Sequence, residues 1–278
     1  RQCGVSLRGL KPLLSLLAAL EVLEENSGRF RLLDTTADFL TNWPVIRSSV
    51  PDAPDWQGLP TVVRSGKPAR DPIEGDKDGG DFFSGVVSTL FGFHLPLAQS
   101  FAAQLPPVRR VLDLGAGSAV WSLALAKEKP EVRVVAVDHR KVLEEMTTSF
   151  IEEHGVTEQY ELRPGSYHEV DLEEAHYDLV YLGHVVHSEG WDASRTLLAR
   201  CLKALRPAGF VGIAEWIAAE PRSADYHACS FDLNMLMFTA EGLVFNASEL
   251  EQLVTEAGFS ETEWGKIPGK YPVLQARR

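Results

Sequence analysis

The chain has 278 residues, a length suited to one large α/β domain with a smaller companion. With 45% hydrophobic and 24% charged residues, and no apolar run long enough to cross a bilayer, the composition excludes a disordered chain and a membrane-spanning one. A formal net charge of -12 without a compensating Lys/Arg cluster argues against a nucleic-acid surface, because binding a phosphate backbone needs a field of the opposite sign.

In chain order, LRGLKPLLSLLAALEVLEENSGRFRLLD, beginning at Leu7, carries leucines at helical spacing, then an ENSG turn and an alternating RFRLL stretch. It predicts a helix followed by a small β-ribbon. Residues 44–80 concentrate proline and glycine and read as irregular connection. The next segment, FFSGVVSTLFGFHLPLAQSFAAQL, returns to apolar helical periodicity. From Val108 onward strand and helix patterns alternate, as in a parallel sheet with covering helices. Strands are expected at 109–114, 132–138, 159–163, 178–183, 209–216, 259–265 and 271–277. Only the KIPGK turn separates the last two, so they should form an antiparallel pair at one sheet edge. Domain limits follow as 1–80, 81–107 and 108–278. The cysteines Cys3, Cys201 and Cys229 form no CxxC pair, which suits free thiols in a reducing cytoplasm and offers no zinc pattern. The opening RQCGVSLRGL has neither Met nor the apolar core of a signal peptide and reads as a fragment, or as a chain whose first residues are not shown.

Chemistry concentrates in VLDLGAGSAVWSLALA, residues 111–126, which reads as a buried strand ending in Asp113, a turn through Gly115 and Gly117, and a helix start. Glycines there let backbone approach a ligand that a Cβ would push away. The dinucleotide fingerprint wants a third glycine, and this chain has Val120 in its place. An acid so close to the turn would repel phosphate and welcome a cation. The second strand ends in Asp138, 25 residues beyond Asp113, where a carboxylate can accept both hydroxyls of a ribose. An adenosine bearing a positive group and no phosphates fits both acids.

These residues resemble the class I S-adenosylmethionine-dependent methyltransferases. VLDLGAG is similar to the family's first motif and AVDHR to its second. RPGSYHEVDL resembles the adenine-contacting segment, YDLVYLGHVVH the fourth strand, and LKALRPAGFVGIAE the passage into the fifth. Within the class, HSEGWDASRTLLARCLKALRPAGFVGIAE looks most like the dimeric O-methyltransferases with an N-terminal winged-helix dimerisation domain, which tailor plant phenolics and bacterial polyketides. LLSLLAALEVLEENSGRFRLLD resembles the end of that winged helix, truncated at its start. The resemblance implies a Rossmann-like, seven-stranded sheet with an antiparallel last strand, a smaller, mostly helical N-terminal region, a homodimer, and S-adenosylmethionine as cofactor with no metal.

Carried over residue by residue, the resemblance implies that Gly115, Gly117 and Gly183 lie against the cofactor, that Asp113 anchors the loop and its bound water or ammonium, and that Asp138 takes the ribose hydroxyls. Ser166 and Tyr167 would flank the adenine. His187 aligns with the general base, and Glu215, 28 residues on, with the acid that orients it. Methyl transfer is an in-line displacement from a sulfonium, so a nucleophile must be aligned and its proton removed; a histidine steadied by a carboxylate suits that task. His184, Phe231, Met235 and Phe238 are candidates for acceptor contact, with Phe82, Phe83, Phe91 and His94 behind them. The chain departs from the family where a further catalytic Glu falls on Val244, where a Lys is replaced by Gly183, and where Ser188 and Glu189 replace Asp-Trp. Oxygen, carbon or nitrogen methylation, a non-methylating reaction of the bound cofactor, a DNA-binding regulator and a nicotinamide oxidoreductase are the competing readings.

Overall fold

A computed structural model describes residues 4–33, 36, 56–68, 80–266 and 272–278; at 80–86, 88 and 89 it describes the backbone alone. The chain divides into two compact units, 1–71 with 218–246, and 72–217 with 247–278. This differs from the expected division at 80 and 107: residues 218–246 leave the C-terminal part of the sequence and fold with the N-terminus.

In the first unit the leucine-rich segment forms the expected helix Leu7–Ala19, followed by an antiparallel ribbon of β1 (Leu23–Asn26) and β2 (Arg29–Leu32). Ser27 and Gly28 both take positive φ, 51° and 72°, the two-residue turn whose twist matches that of a hairpin. A short helix, Leu59–Ser65, arises inside the stretch expected to be irregular. Pro60 begins it and Gly66, at φ 70°, ends it, so its punctuation is that of a helix. The remainder of 44–80 is outside the described residues except for Trp56–Gly58, Lys67, Pro68 and the helix start at Gly80. Gly9 lets the first helix approach the second closely, since a Cβ there would stand 2.1 Å from the Val63 carbonyl oxygen. Arg8 ties the unit together by donating to the carbonyls of Gly66 (2.7 Å) and Thr239 (3.1 Å). The helix Tyr226–Phe238 supplies Leu233, Leu236 and Met237 to a core shared with Val62 and Val63.

The second unit is built on a seven-stranded sheet. Its strands are β3 (Arg110–Leu114), β4 (Arg133–Asp138), β5 (Tyr160–Pro164), β6 (Tyr177–Gly183), β7 (Leu205–Ala214), β8 (Thr262–Trp264) and β9 (Val273–Arg277). Their order is β5-β4-β3-β6-β7-β9-β8, with β3 to β7 parallel and β9 antiparallel to both β7 and β8. The expected antiparallel pair at the sheet edge is therefore present. The expected 259–265 strand shrinks to three residues, and β7 starts at Leu205 rather than 209.

Central β6, YDLVYLG, is buried along its length, as a parallel strand covered on both faces must be. Asp178, early in this strand, is buried: its Oδ2 accepts the N–H groups of Arg109 (2.6 Å) and Arg110 (3.0 Å), and its Oδ1 forms an ion pair with Arg206 Nε at 2.5 Å. Helix Gly80–Ala102 packs on Val120–Glu128, and Val186–Ala204 on Ala247–Glu256. The strand order reverses between β3 and β6, and an open α/β sheet binds its ligands at such a switch point, beyond the carboxyl ends of its strands.

Candidate active site

The turn after β3 is held in place by β4. Gly115 and Gly117 adopt φ of 68° and 54°, the left-handed region natural to glycine. Gly115 N–H donates to the Val137 carbonyl (2.9 Å) and Gly117 N–H to Asp138 Oδ2 (2.8 Å). The other oxygen of Asp138 accepts His139 N–H at 2.7 Å, and Thr147 Oγ1 donates to the Gly117 carbonyl at 2.6 Å. Burial raises the Asp138 carboxyl above its ordinary range, and the two backbone donors partly offset this. One donor per oxygen leaves each with acceptor capacity.

Asp113 faces another way. Its carboxylate accepts the Ser122 hydroxyl in a short hydrogen bond, and Ser122 Oγ lies 2.9 Å from Tyr160 Oη. The side chain is 3% exposed, and burial pushes its carboxyl up to about 7; the Ser122 bond opposes that shift, and the charge of Asp138 adds to it. Asp113 thus braces the strand, the helix Val120–Glu128 and β5 under the turn, and the polar partners of its carboxylate are protein groups.

Tyr167 lies over Gly115: a Cβ there would be 3.6 Å from the Tyr167 ring and 2.7 Å from Val185 Cγ2. Its hydroxyl donates to Glu189 Oε1 (2.6 Å), and His168 Nε2 pairs with Glu189 Oε2 (2.7 Å). Burial works to raise the Glu189 carboxyl, but the bonds from His168 and Tyr167 outweigh it and hold it low. The same hydrogen bond holds the His168 imidazole above its usual range despite partial burial. Glu189 thus links the segment after β5 to the helix after β6. Ser166 Oγ accepts His168 N–H at 3.2 Å and serves the turn itself. A Cβ on Gly183 would meet the Trp121 indole at 2.5 Å, so the need for glycine at this strand end is one of packing against Trp121.

At the ends of β6 and β7, His187 Nδ1 lies 2.7 Å from Glu215 Oε2. Glu215 is 1% exposed, and its Oε1 accepts the N–H groups of Val186 (3.0 Å) and His187 (3.4 Å). A carboxyl group already accepting on one oxygen makes the facing ring nitrogen the donor, which puts the basic lone pair of His187 on Nε2. Gly190, at φ 75° and ψ -172°, breaks the helix Val186–Ala204 just beyond this histidine. His184 Nδ1 is 3.9 Å from the same Oε2, and the His184 ring stacks on His94 with centroids 4.3 Å apart. Burial keeps His184 well below the ordinary imidazole range, and brings His94 down to about 4. His184 itself sits at φ 60°, a conformation a non-glycine residue holds at some cost.

The second unit therefore brings together Gly115, Gly117, Asp138 and Tyr167 on one side of the switch point and His184, His187 and Glu215 on the other. Phe231, Met235 and Phe238 belong to the first unit, where Phe238 meets Trp56 edge-on at 6.4 Å and Met235 is buried. Val244, at the place of an expected Glu, is fully buried in that unit, its N–H on Asp232 Oδ1 at 2.8 Å. Phe91 stacks on Phe150 at 4.1 Å, a core contact; the side chains of Phe82 and Phe83 lie outside the described residues. Sequence reasoning missed Trp121, Tyr160 and the bridging role of Glu189. The one available signal was Glu189 standing where the family has another residue.

Among the described residues no helix is long and apolar enough to cross a membrane. Over 281 aligned residues the chain is 28% identical to 3-hydroxy-5-methyl-1-naphthoate 3-O-methyltransferase of Streptomyces sahachiroi, covering 94% of this chain and 78% of that one. It is 25% identical to the tetracenomycin polyketide synthesis 8-O-methyl transferase of Streptomyces glaucescens, covering 78% of this chain and 64% of the relative. Human N-acetylserotonin methyltransferase, solved in complex with S-adenosylmethionine, shares the fold with a TM-score of 0.68 at 19% identity, over 98% of this chain and 84% of that one. The sequence profile of the O-methyltransferase domain matches residues 96–260, more than half of the 278-residue chain, and the protein belongs to that family of S-adenosylmethionine-dependent enzymes.

Proposed function

We propose that the chain methylates a hydroxyl of a small aromatic or polyketide-like metabolite, with His187 as general base and Glu215 as the acid that orients it. The observation that carries this reading is the buried 2.7 Å contact between His187 Nδ1 and Glu215 Oε2, at neighbouring strand ends beside the switch point that holds the glycine turn. The names of two relatives, a 3-hydroxy-5-methyl-1-naphthoate 3-O-methyltransferase and a tetracenomycin polyketide synthesis 8-O-methyl transferase, support the substrate class.

S-adenosylmethionine supplies an electrophilic methyl on a sulfonium. The residues present fit it. Gly115 and Gly117 present backbone at a turn where a Cβ would be crowded, and Asp138 keeps acceptor capacity for two ribose hydroxyls. Tyr167, fixed by Glu189, offers a flat wall for the adenine. Asp113 acts on the cofactor through the turn it braces. His187 takes the proton of the acceptor hydroxyl on Nε2, and the anionic Glu215 steadies the resulting imidazolium. His184 lines the acceptor side of that base.

The protein acts as a homodimer through its first unit, a reading supported by Leu7 and Leu20, 81% and 50% exposed at the start and just past the end of the leucine-rich helix. It works in the cytoplasm, in keeping with buried, free Cys201 and Cys229.

Calorimetry with S-adenosylmethionine and with NAD, followed by turnover of a hydroxylated naphthoate, tests the reading. His187→Ala is expected to keep cofactor affinity within threefold and to lose turnover by roughly 10²–10⁴-fold. NMR of the product separates O- from C-methylation. Heat with NAD and none with S-adenosylmethionine would end the proposal.

A further inference from the structure

We propose that His184, His187 and Glu215 form a binding site for a single divalent transition-metal ion of the zinc class, and that the bound ion switches the transferase off. The second clause rests on the role proposed above for His187; the first does not.

One donor atom from each of the three side chains falls within 4.8 Å of the other two. Two imidazoles and one carboxylate, with a fourth position for water, are a donor set that zinc accepts. A tetrahedral ion with ligands at about 2.0–2.1 Å sets them about 3.3 Å apart. The 2.7 Å from His187 Nδ1 to Glu215 Oε2 would open, and the 3.9 Å from His184 Nδ1 would close, each by about 0.6 Å. Side-chain rotation covers shifts of that size. The strand end is already set for it: His184 is held in the left-handed region with its N–H on the Ala214 carbonyl at 2.9 Å, and His94 braces its ring from the other face. Such strain at a site marks a functional constraint.

The consequence follows from tautomers. In the dyad His187 carries its hydrogen on Nδ1 and its basic lone pair on Nε2. An ion on Nδ1 needs the lone pair on that nitrogen, so the ring, still neutral, carries its one hydrogen on Nε2. No net proton is gained or lost; the hydrogen moves from one ring nitrogen to the other through solvent. The nitrogen that should accept the acceptor's proton becomes a donor, and the base is disabled.

The test uses the full chain stripped with a chelator, without cofactor or acceptor. Zinc is titrated in competition with a chromophoric chelator, and cobalt(II) follows as a spectroscopic probe. One equivalent is expected, with the intense visible bands of a four- or five-coordinate cobalt site. His184→Asn, a residue at ease at positive φ, is expected to weaken zinc at least tenfold, and Glu215→Gln likewise, while His227→Ala changes nothing. Zinc at one equivalent should abolish turnover, reversibly on adding chelator, with the S-adenosylmethionine binding heat intact. Absence of stoichiometric zinc, or full affinity in His184→Asn, overturns the site. Bound zinc with undiminished turnover overturns the switch. Cofactor heat is measured in parallel: heat without zinc removes this proposal alone, and zinc without cofactor heat upholds the site while removing the functional reading above.

Discussion

Gly115 shows how a single residue is bound to its conformation twice over. Its φ of 68° strains any side chain, and a Cβ would press on Val185 Cγ2 at 2.7 Å. Gly115→Ala is therefore expected to cost about 1–3 kcal/mol of stability and to weaken S-adenosylmethionine binding at least tenfold, measured by urea unfolding and calorimetry. Unchanged affinity would mean that the turn does not approach the cofactor. Asp113 makes a different prediction, because its folded carboxyl is pushed up to about 7 by burial, well above the ordinary range near 3.9. The folded state then binds a proton more tightly than the unfolded chain. Its stabilising contribution is complete below about pH 4 and is lost as pH rises through about 7. Asp113→Asn keeps an acceptor for Ser122 and lacks this titration, so its stability relative to the parent should rise between pH 4 and pH 8, by up to about 4 kcal/mol. Urea midpoints at the two pH values decide it; a constant difference between the proteins would show that Asp113 ionises as in water.

At the scale of elements, the helix Tyr226–Phe238 begins on Asp225, whose Oδ1 accepts from His227 N–H (2.9 Å) and Ala228 N–H (3.3 Å). Removing such a cap costs about 1 kcal/mol. Asp225→Ala should lower stability by that amount, and Asp225→Asn, which keeps the acceptor, should be nearly silent; equal losses would assign the effect to charge instead. This helix also shows where periodicity alone stops. FDLNMLMF has apolar residues at helical spacing whether the helix covers a substrate or fills a core, and the buried Leu233, Leu236 and Met237 are spent on the core of the first unit. The PTVVRS helix was hidden by its flanking proline and glycine, which punctuate helices as well as loops.

For the molecule as a whole, ligand linkage offers the broadest check. A ligand that binds only the folded chain stabilises it by about 2.7 kcal/mol at a hundredfold excess over its Kd. S-adenosylhomocysteine should therefore raise the midpoint of thermal unfolding by several degrees, and NAD should leave it where it was; a shift with NAD alone would contradict the cofactor assignment. Light scattering at two protein concentrations measures the mass, and a monomer at both would end the homodimer proposal.

The alternation from Val108, the two glycines and the paired strand-end acids were legible because each depends on neighbours close in the chain: a strand's burial, a turn's φ, a helix start. His187 and Glu215 were legible as a pair only through the resemblance, and the fold then set their side chains 2.7 Å apart. Tertiary structure alone decided the rest. It turned Asp113 inward to Ser122 and Tyr160, laid Trp121 against Gly183, joined Tyr167 to Glu189 across 22 positions and moved 218–246 into the N-terminal unit. Apart from Asp113 with Ser122, nine residues on, those contacts link residues far apart in the chain, and local propensity and periodicity hold no information about which side chain will supply a buried polar group with its partner.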